Sequence, residues 1–346
     1  MGLAELAKAR VYERRYRAAA RALDQTAQVV RMSRLIEKAR RLGAEGGVVV
    51  TGGSRFRNAQ RVGLLASSMN PLTCAHSALA EAAKAEARLD MLGWVATSIT
   101  IDKERVERAA LVDRLVECQQ YARAERDGLL LLNGGLYVEQ ARAAHALLRS
   151  SVDVVLIVGY DKIVQIFDPR YYTDRDAALR ELFAEAEVAV APRAGAGADE
   201  LRALLDRPEN RPYAEHVHFI QLESRYVADS STEARALASR ADQRERLREL
   251  LAPEGLALAL EARPYEPRRD AGPADLGDAY TARQTLLAAL VDGLGDASLR
   301  ALASAPPLSH LVEWSAEGNA RGAALRSWAM RKDRRLVGFW AALQAG

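Results

Sequence analysis

Two short segments hold most of the side chains that could do chemistry. The first runs Val62-Gly-Leu-Leu-Ala-Ser-Ser-Met-Asn-Pro-Leu-Thr-Cys-Ala-His76. An apolar run ends in small residues, Asn70-Pro71 marks a turn, and a helical pattern begins near Thr73. A helix N-terminus presents unpaired N–H groups and the positive end of its dipole, which together favour phosphate. His76 falls in the first turn of that helix, on the side of Thr73, and Ser67 and Ser68 are small enough for a triphosphate to approach the backbone. The second segment, Asp229-Ser-Ser-Thr-Glu-Ala-Arg235, follows another apolar run and opens another helix. Its hydroxyls, Ser230, Ser231 and Thr232, can cap the helix or meet a phosphate, and Arg235, about one turn on, can fork onto phosphate oxygens. Each segment alone has a plainer reading: a turn with a structural histidine, and an N-cap with Glu233 in the first turn. Both in one α/β chain, each after its own strand, favour phosphate chemistry.

The first segment resembles the opening signature of the nucleotidyltransferase superfamily that includes the nicotinamide and nicotinate mononucleotide adenylyltransferases, a strand followed by G-S-F-N-P-x-T/H-x-x-H. Ser68, Asn70, Pro71, Thr73 and His76 match, while Ser67 stands at the usual glycine and Met69 at the usual phenylalanine. The second resembles the family's I-S-S-T-x-x-R element at Ser230, Ser231, Thr232 and Arg235, with Asp229 in place of isoleucine. The resemblance implies a Rossmann-like nucleotidyltransferase fold and transfer of AMP from ATP to a small phosphate-bearing acceptor, with pyrophosphate released. It gives His76, Thr73, Lys103 and Arg235 catalytic roles, and nucleotide contacts to Ser67, Ser68, Met69, Asn70, Ser230, Ser231 and Thr232. Mg²⁺ would be held mainly by the substrate phosphates rather than by protein ligands.

Further matches lie between the two. Val158-Gly-Tyr-Asp161 resembles a G-x-D element in which Gly159 and Asp161 hold the nucleotide; a helix N-cap is the equal alternative for Asp161. Phe167-Asp-Pro-Arg-Tyr-Tyr172 lies where the mononucleotide enzymes place an aromatic against the pyridine ring, so Phe167, Tyr171 or Tyr172 would stack on the acceptor, although packing is the commoner role for any one of them. Ser98-Ile-Thr-Ile-Asp-Lys103, with Arg114 beyond it, resembles the element that sends a lysine to the triphosphate. The resemblance ends in Leu251-Ala-Pro-Glu-Gly255. Nicotinate or nicotinamide mononucleotide is the acceptor it suggests. Phosphopantetheine, or an alcohol phosphate with CTP, would use the same chemistry, and a nucleotide-binding regulatory protein without turnover is the rival of a different class.

Such residues need a scaffold that brings strand ends together. Apolar runs at Gly47–Thr51, Val62–Ser67, Leu92–Ile101, Gly128–Leu132, Val152–Val158, Ala186–Ala191 and Val217–Leu222 alternate with helical patterns at 75–88, 104–126, 137–149, 175–185 and 198–206. Several runs are continuous rather than alternating, as in parallel strands covered on both faces. The expectation is an α/β fold with a doubly wound, mostly parallel sheet over 46–265. Residues 1–45 read as an N-terminal helical extension and 270–346 as a C-terminal helical subdomain holding Trp314, Trp328 and Trp340. Pro192–Asp199 reads as a flexible turn region and Arg263–Leu276 as a linker.

Composition narrows the partners. A formal net charge of +3 with 27% charged residues, mixed along helical stretches, argues against a dedicated nucleic-acid binder. Two cysteines make neither a disulfide framework nor a zinc cluster, and the reduced cytoplasm is the expected setting. No stretch has the ~18 apolar residues of a membrane span, and the first residues lack the apolar core of a secretory signal. Only six lysines occur among many arginines, which gives Lys103 and Lys162 slightly more weight than usual. Asn133-Gly134-Gly135 lacks the Gly-Lys-Ser/Thr of a Walker loop, and His216-Val-His218 lacks a third metal ligand nearby. Monomer and homo-oligomer are equally compatible with these motifs.

Overall fold

The computed structural model describes residues 26–97, 109–193, 195–265 and 280. The chain divides into two compact units, residues 32–267 and a second made of 1–31 with 268–346.

In order, the elements are α1 (Thr26–Arg40), β1 (Gly47–Thr51), α2 (Gly53–Phe56), β2 (Arg61–Ala66), α3 (Cys74–Glu86), β3 (Met91–Thr97), α4 (Leu111–Ala124), β4 (Gly128–Leu132), α5 (Tyr137–Leu147), β5 (Asp153–Gly159), α6 (Tyr160–Phe167), α7 (Arg175–Glu185), β6 (Glu187–Ala191), α8 (Ala198–Leu205), β7 (Val217–Phe219), α9 (Ser224–Val227), α10 (Ser231–Ala238), α11 (Arg244–Leu250) and α12 (Pro253–Ala257). These seven strands form one sheet in the order β1-β4-β3-β2-β5-β6-β7. Every neighbouring pair is parallel except β1 with β4. The fold is therefore an α/β doubly wound, mostly parallel sheet. The continuous apolar runs have the expected cause: all five residues of β4 are buried, as are the first six of β3, because helices cover both faces.

Two buried clusters mark the two faces. Val62, Leu64, Leu156, Val158, Val188 and the rings of Phe167 and Phe183 fill one. Leu65, Leu92, Trp94, Leu129 and Leu131 fill the other, with Met32, Ile36 and Ala39 of α1 among them. Beside the second face, Asp127 takes a hydrogen bond from the Trp94 indole at 3.2 Å and an ion pair from Lys84 at 3.0 Å, so this scarce lysine has a structural partner.

Sequence and structure differ at particular places. The edge strand β1 runs antiparallel to its neighbour β4, the exception in an otherwise parallel sheet. His216 lies on a 3-10 turn rather than a strand and stacks on Phe183, while His218 pairs with Glu187 at 2.9 Å. The segment read as a linker begins inside the fold, since Pro264 and Tyr265 are buried; residues 266–276 lie outside the described residues.

The strand order reverses between β2 and β5. Chain leaves β2 toward β3 on one side, whereas β5 leads to β6 and β7 on the other. Loops leaving the carboxyl ends of β2 and β5 therefore diverge and open a crevice, the usual ligand position of an open α/β sheet. Those loops carry Ser67–Thr73 and Gly159–Asp161.

Candidate nucleotide-binding site

The turn after β2 is shaped by its own hydrogen bonds. Thr73 is the N-cap of α3, and its Oγ1 accepts from His76 N–H at 3.4 Å. In return His76 Nδ1 accepts from the Thr73 backbone N–H at 3.2 Å, so a histidine fills the reciprocal position of a capping box. The Thr73 hydroxyl lies 2.7 Å from the same Nδ1 and donates to it. Two donors on Nδ1 leave the ring proton on Nε2, which points 2.9 Å to Ser67 Oγ. Burial, then the charge of Arg193, lowers the His76 pKa from 6.5 to about 4, so the ring is neutral at physiological pH.

This arrangement limits the chemistry. Ser67 and His76 have the spacing of a nucleophile and its base, yet a base must offer a bare Nε2, and here Nε2 carries the proton. The pair is therefore no activated serine. His76 is an N–H donor, suited to an oxyanion.

The second segment grips the first from 160 residues away. Ser231 Oγ donates to Pro71 O at 3.0 Å, and Arg235 donates to Asn70 O at 2.8 Å and to Thr232 Oγ1 at 3.0 Å. Ser230 caps α10 by accepting from Glu233 N–H. Arg114 donates to Ser68 O at 2.6 Å. Thr73 also bridges to Leu251, and a Cβ on Gly255 would come within 2.3 Å of Leu72 O, so only glycine lets α12 approach the turn this closely. Asp229 faces Arg246 at 3.6 Å, and its charge helps burial raise the Cys74 thiol, which makes Cys74 a poor nucleophile.

Across the crevice, Gly159 is the N-cap of α6 and Asp161 lies in its first turn. Asp161 caps nothing; its Oδ1 stands 3.6 Å from Arg193 Nε. A Cβ on Gly159 would meet that Oδ1 at 2.7 Å and Arg193 Cδ at 3.2 Å, so the glycine admits the pair. Arg193 sits in a tight turn closed by mutual hydrogen bonds with Ala196, Gly195 taking φ +84°. Arg193 does not stand out in the sequence because glycine and alanine around it signal only a loop. Tyr137 is equally silent there: its phenol pKa is pushed up to about 12 by burial and by the charge of Asp161.

Ser67, Ser68, Met69, Asn70, Thr73, His76, Ser231, Thr232 and Arg235 therefore surround one turn, with Gly159 and Asp161 linked to it through Arg193. Lys103 lies outside the described residues. The aromatic candidates stand elsewhere. Phe167 ends α6, ~12 Å along its axis from Gly159 at 1.5 Å per residue. It is 4% exposed and packs with Phe183 and Tyr213, so the ring is largely core, and the residue also lines a cavity beside Val164 and Arg175. Tyr171 is exposed, and the Tyr172 hydroxyl donates to Ile166 O at 2.8 Å. A cavity of about 770 Å³ near them, lined by Val164, Arg170, Arg175 and Arg207 among others, includes no residue of either signature segment.

Fold and site together define an α/β protein with several side-chain donors gathered around the turn at the topological switch point. Solved structures similar to this chain include the nicotinic acid mononucleotide adenylyltransferase of Plasmodium falciparum complexed with APC, at 13% identity, covering 60% of this chain and 97% of that one with a TM-score of 0.43. The same protein complexed with NaAD is similar at 14% identity, with the same coverage and a TM-score of 0.44. No family model and no curated protein matches the sequence. No helix among the described residues is long and apolar enough to cross a membrane.

Proposed function

We propose that the chain is a nucleotidyltransferase that transfers AMP from ATP to a small phosphate-bearing acceptor and releases pyrophosphate. The observation that carries this reading is the neutral His76, whose Nε2–H stands at the switch point on a turn clamped by Ser231 and Arg235. An acceptor phosphate oxygen attacks the α-phosphorus in line, the bond to the bridging oxygen breaks, and pyrophosphate departs. Positioning and charge neutralisation do most of such work. His76 donates to the oxygens as charge develops, Ser68 and the α3 N-terminus orient them, and Arg193 adds charge. Arg235 already holds Asn70 O and Thr232, so its first role is to shape the turn; its remaining N–H groups can meet phosphate. Among the described residues no three His, Cys, Asp or Glu side chains are grouped to hold a metal. Mg²⁺ carried in on the triphosphate needs no such cage and supplies charge neutralisation when bound.

Nicotinate or nicotinamide mononucleotide is the acceptor that the two signatures favour, acting in the cytoplasm. A pyridine ring needs an aromatic face, and Tyr137, beside Asp161, is better situated for it than Phe167. A pyrophosphate-release assay with ATP and CTP over a panel of acceptor phosphates tests the reading. Turnover with a mononucleotide supports it; phosphopantetheine or an alcohol phosphate as sole substrate moves the acceptor. ATP binding with no turnover on any acceptor favours a regulatory nucleotide binder, a reading that the internal hydrogen bonds of Arg235 and His76 make worth testing.

A further inference from the structure

We infer that Ser67 competes from within the protein for the point where a substrate oxyanion must sit, and so lowers the affinity of the site for phosphate oxygens. This rests on the phosphate-binding reading above and adds a determinant of its affinity.

Ser67 Oγ lies 2.9 Å from His76 Nε2 and 3.2 Å from the backbone N of Met69. With the ring proton on Nε2, both groups donate to this one oxygen. Two fixed N–H groups converging on an oxygen, at the carboxyl end of β2 and beside the first turn of α3, are the donor set an oxyanion would use. The donors are fixed for separate reasons. The His76 ring is held through Nδ1 by both Thr73 donors, and Met69 is buried at φ +44°. A phosphate oxygen reaches the point only if the Ser67 side chain turns away.

The net gain of that exchange depends on what the incoming oxygen offers. A neutral ligand oxygen replacing a neutral hydroxyl swaps one hydrogen bond for an equivalent one and gains little. A phosphate oxygen replaces it with charge-assisted bonds, which are about twice as strong. Ser67 therefore weakens every oxygen ligand that uses this point by the same displacement cost, which the charge-assisted bonds of a phosphate oxygen more than offset.

The test is calorimetric titration of the full chain with pyrophosphate, ATP and adenosine, on wild type and on Ser67→Ala and Ser67→Gly. Removing the competing hydroxyl is expected to tighten pyrophosphate and ATP by roughly 2- to 13-fold, the worth of one neutral hydrogen bond. Adenosine, which carries no phosphate, should change by less than about twofold. The His76 Nε2 proton, followed by ¹⁵N NMR, should exchange faster with solvent in both variants, while the dispersion of their backbone amide resonances reports whether they are folded. Unchanged or weaker pyrophosphate binding in folded variants, with wild type still binding, overturns the competition and leaves the proposed function standing. Failure of wild type and variants alike to bind any of the phosphates overturns both.

Discussion

The Tyr265 hydroxyl donates to Asn70 Oδ1 at 2.9 Å, joining residues 195 positions apart beneath the turn that follows β2. Arg235 holds the same asparagine by its backbone carbonyl at 2.8 Å. The turn is thus shaped by chain that arrives long after it. Such support is needed, because Met69 at φ +44° is a side-chain-bearing residue in the left-handed region, a conformation that costs about 1–3 kcal/mol unless its surroundings impose it.

Tyr265→Phe keeps the ring and removes this donor. The expected loss is about 1 kcal/mol of stability, read as a fall in Tm of roughly 2–4 °C for a unit of this size. Pyrophosphate affinity should fall with it, since the turn carries the proposed donors. An unchanged Tm and affinity would show that the turn keeps its shape without Tyr265.

His76→Ala is expected to lower kcat by about 10²–10³ while changing nucleotide binding less, as removal of one oxyanion donor does. Near-normal turnover would end its catalytic assignment. The ring also has a pH signature. Its folded pKa lies near 4, below the ordinary 6.5, so between those values the unfolded chain binds the proton that the folded chain refuses. The His76 contribution to stability is complete above about pH 6.5 and is lost as pH falls toward 4. Thermal melts across that range should show a flatter acid limb in His76→Asn than in wild type.

Much of this was legible in the sequence because it depends on local pattern. Continuous apolar runs named the seven strands described, and β1 and β4 begin and end where they were expected, at Gly47–Thr51 and Gly128–Leu132. The turn and N-cap around Thr73 were legible for the same reason: their hydrogen bonds span three residues. What depends on long-range contact was not. Phe167 lies in a motif that suggested a binding face, yet its ring packs on Phe183 and Tyr213. Arg193 looked like one more arginine in a glycine-rich turn, and only the strand order β2-β5-β6 brings its charge to His76. Arg235 looked like a phosphate ligand, and its partner Asn70 O is invisible at a separation of 165 residues.

Glu117 should give the opposite pH signature to His76. It is buried beneath the same turn, where Oε1 accepts from Leu72 N–H at 2.8 Å and Oε2 has no hydrogen-bond partner among the described residues. Burial raises its pKa from 4.5 to about 8; Leu72 N–H and Arg114 oppose the rise, while Glu254 and Asp113 add to it. The folded chain therefore keeps a proton that the unfolded chain has released. This contribution is full below about pH 4.5 and is lost as pH climbs through 8. Glu117→Gln retains an acceptor for Leu72 and cannot ionise, so its Tm should fall less than that of wild type between about pH 6 and 9. Parallel curves would show that Glu117 is already ionised in the fold.

Arg193 can be separated from the other cations by its partner. Its side chain is 53% exposed and stands 3.6 Å from Asp161, so the pair itself is worth little in stability. Its effect on an anion is larger than that value suggests, for Arg193→Gln removes an attractive charge and also leaves Asp161 unneutralised at the mouth of the crevice. Pyrophosphate affinity should fall by roughly 2- to 5-fold, with less dependence on salt than in wild type. The His76 pKa should rise from about 4, because the guanidinium charge is one of the two causes that depress it. Asp161→Asn in the same background removes the repulsion and should recover part of the affinity, giving a non-additive double-mutant cycle. Additive losses, or a His76 titration unmoved by Arg193→Gln, would place Arg193 outside the site and leave His76 to face the phosphate without it.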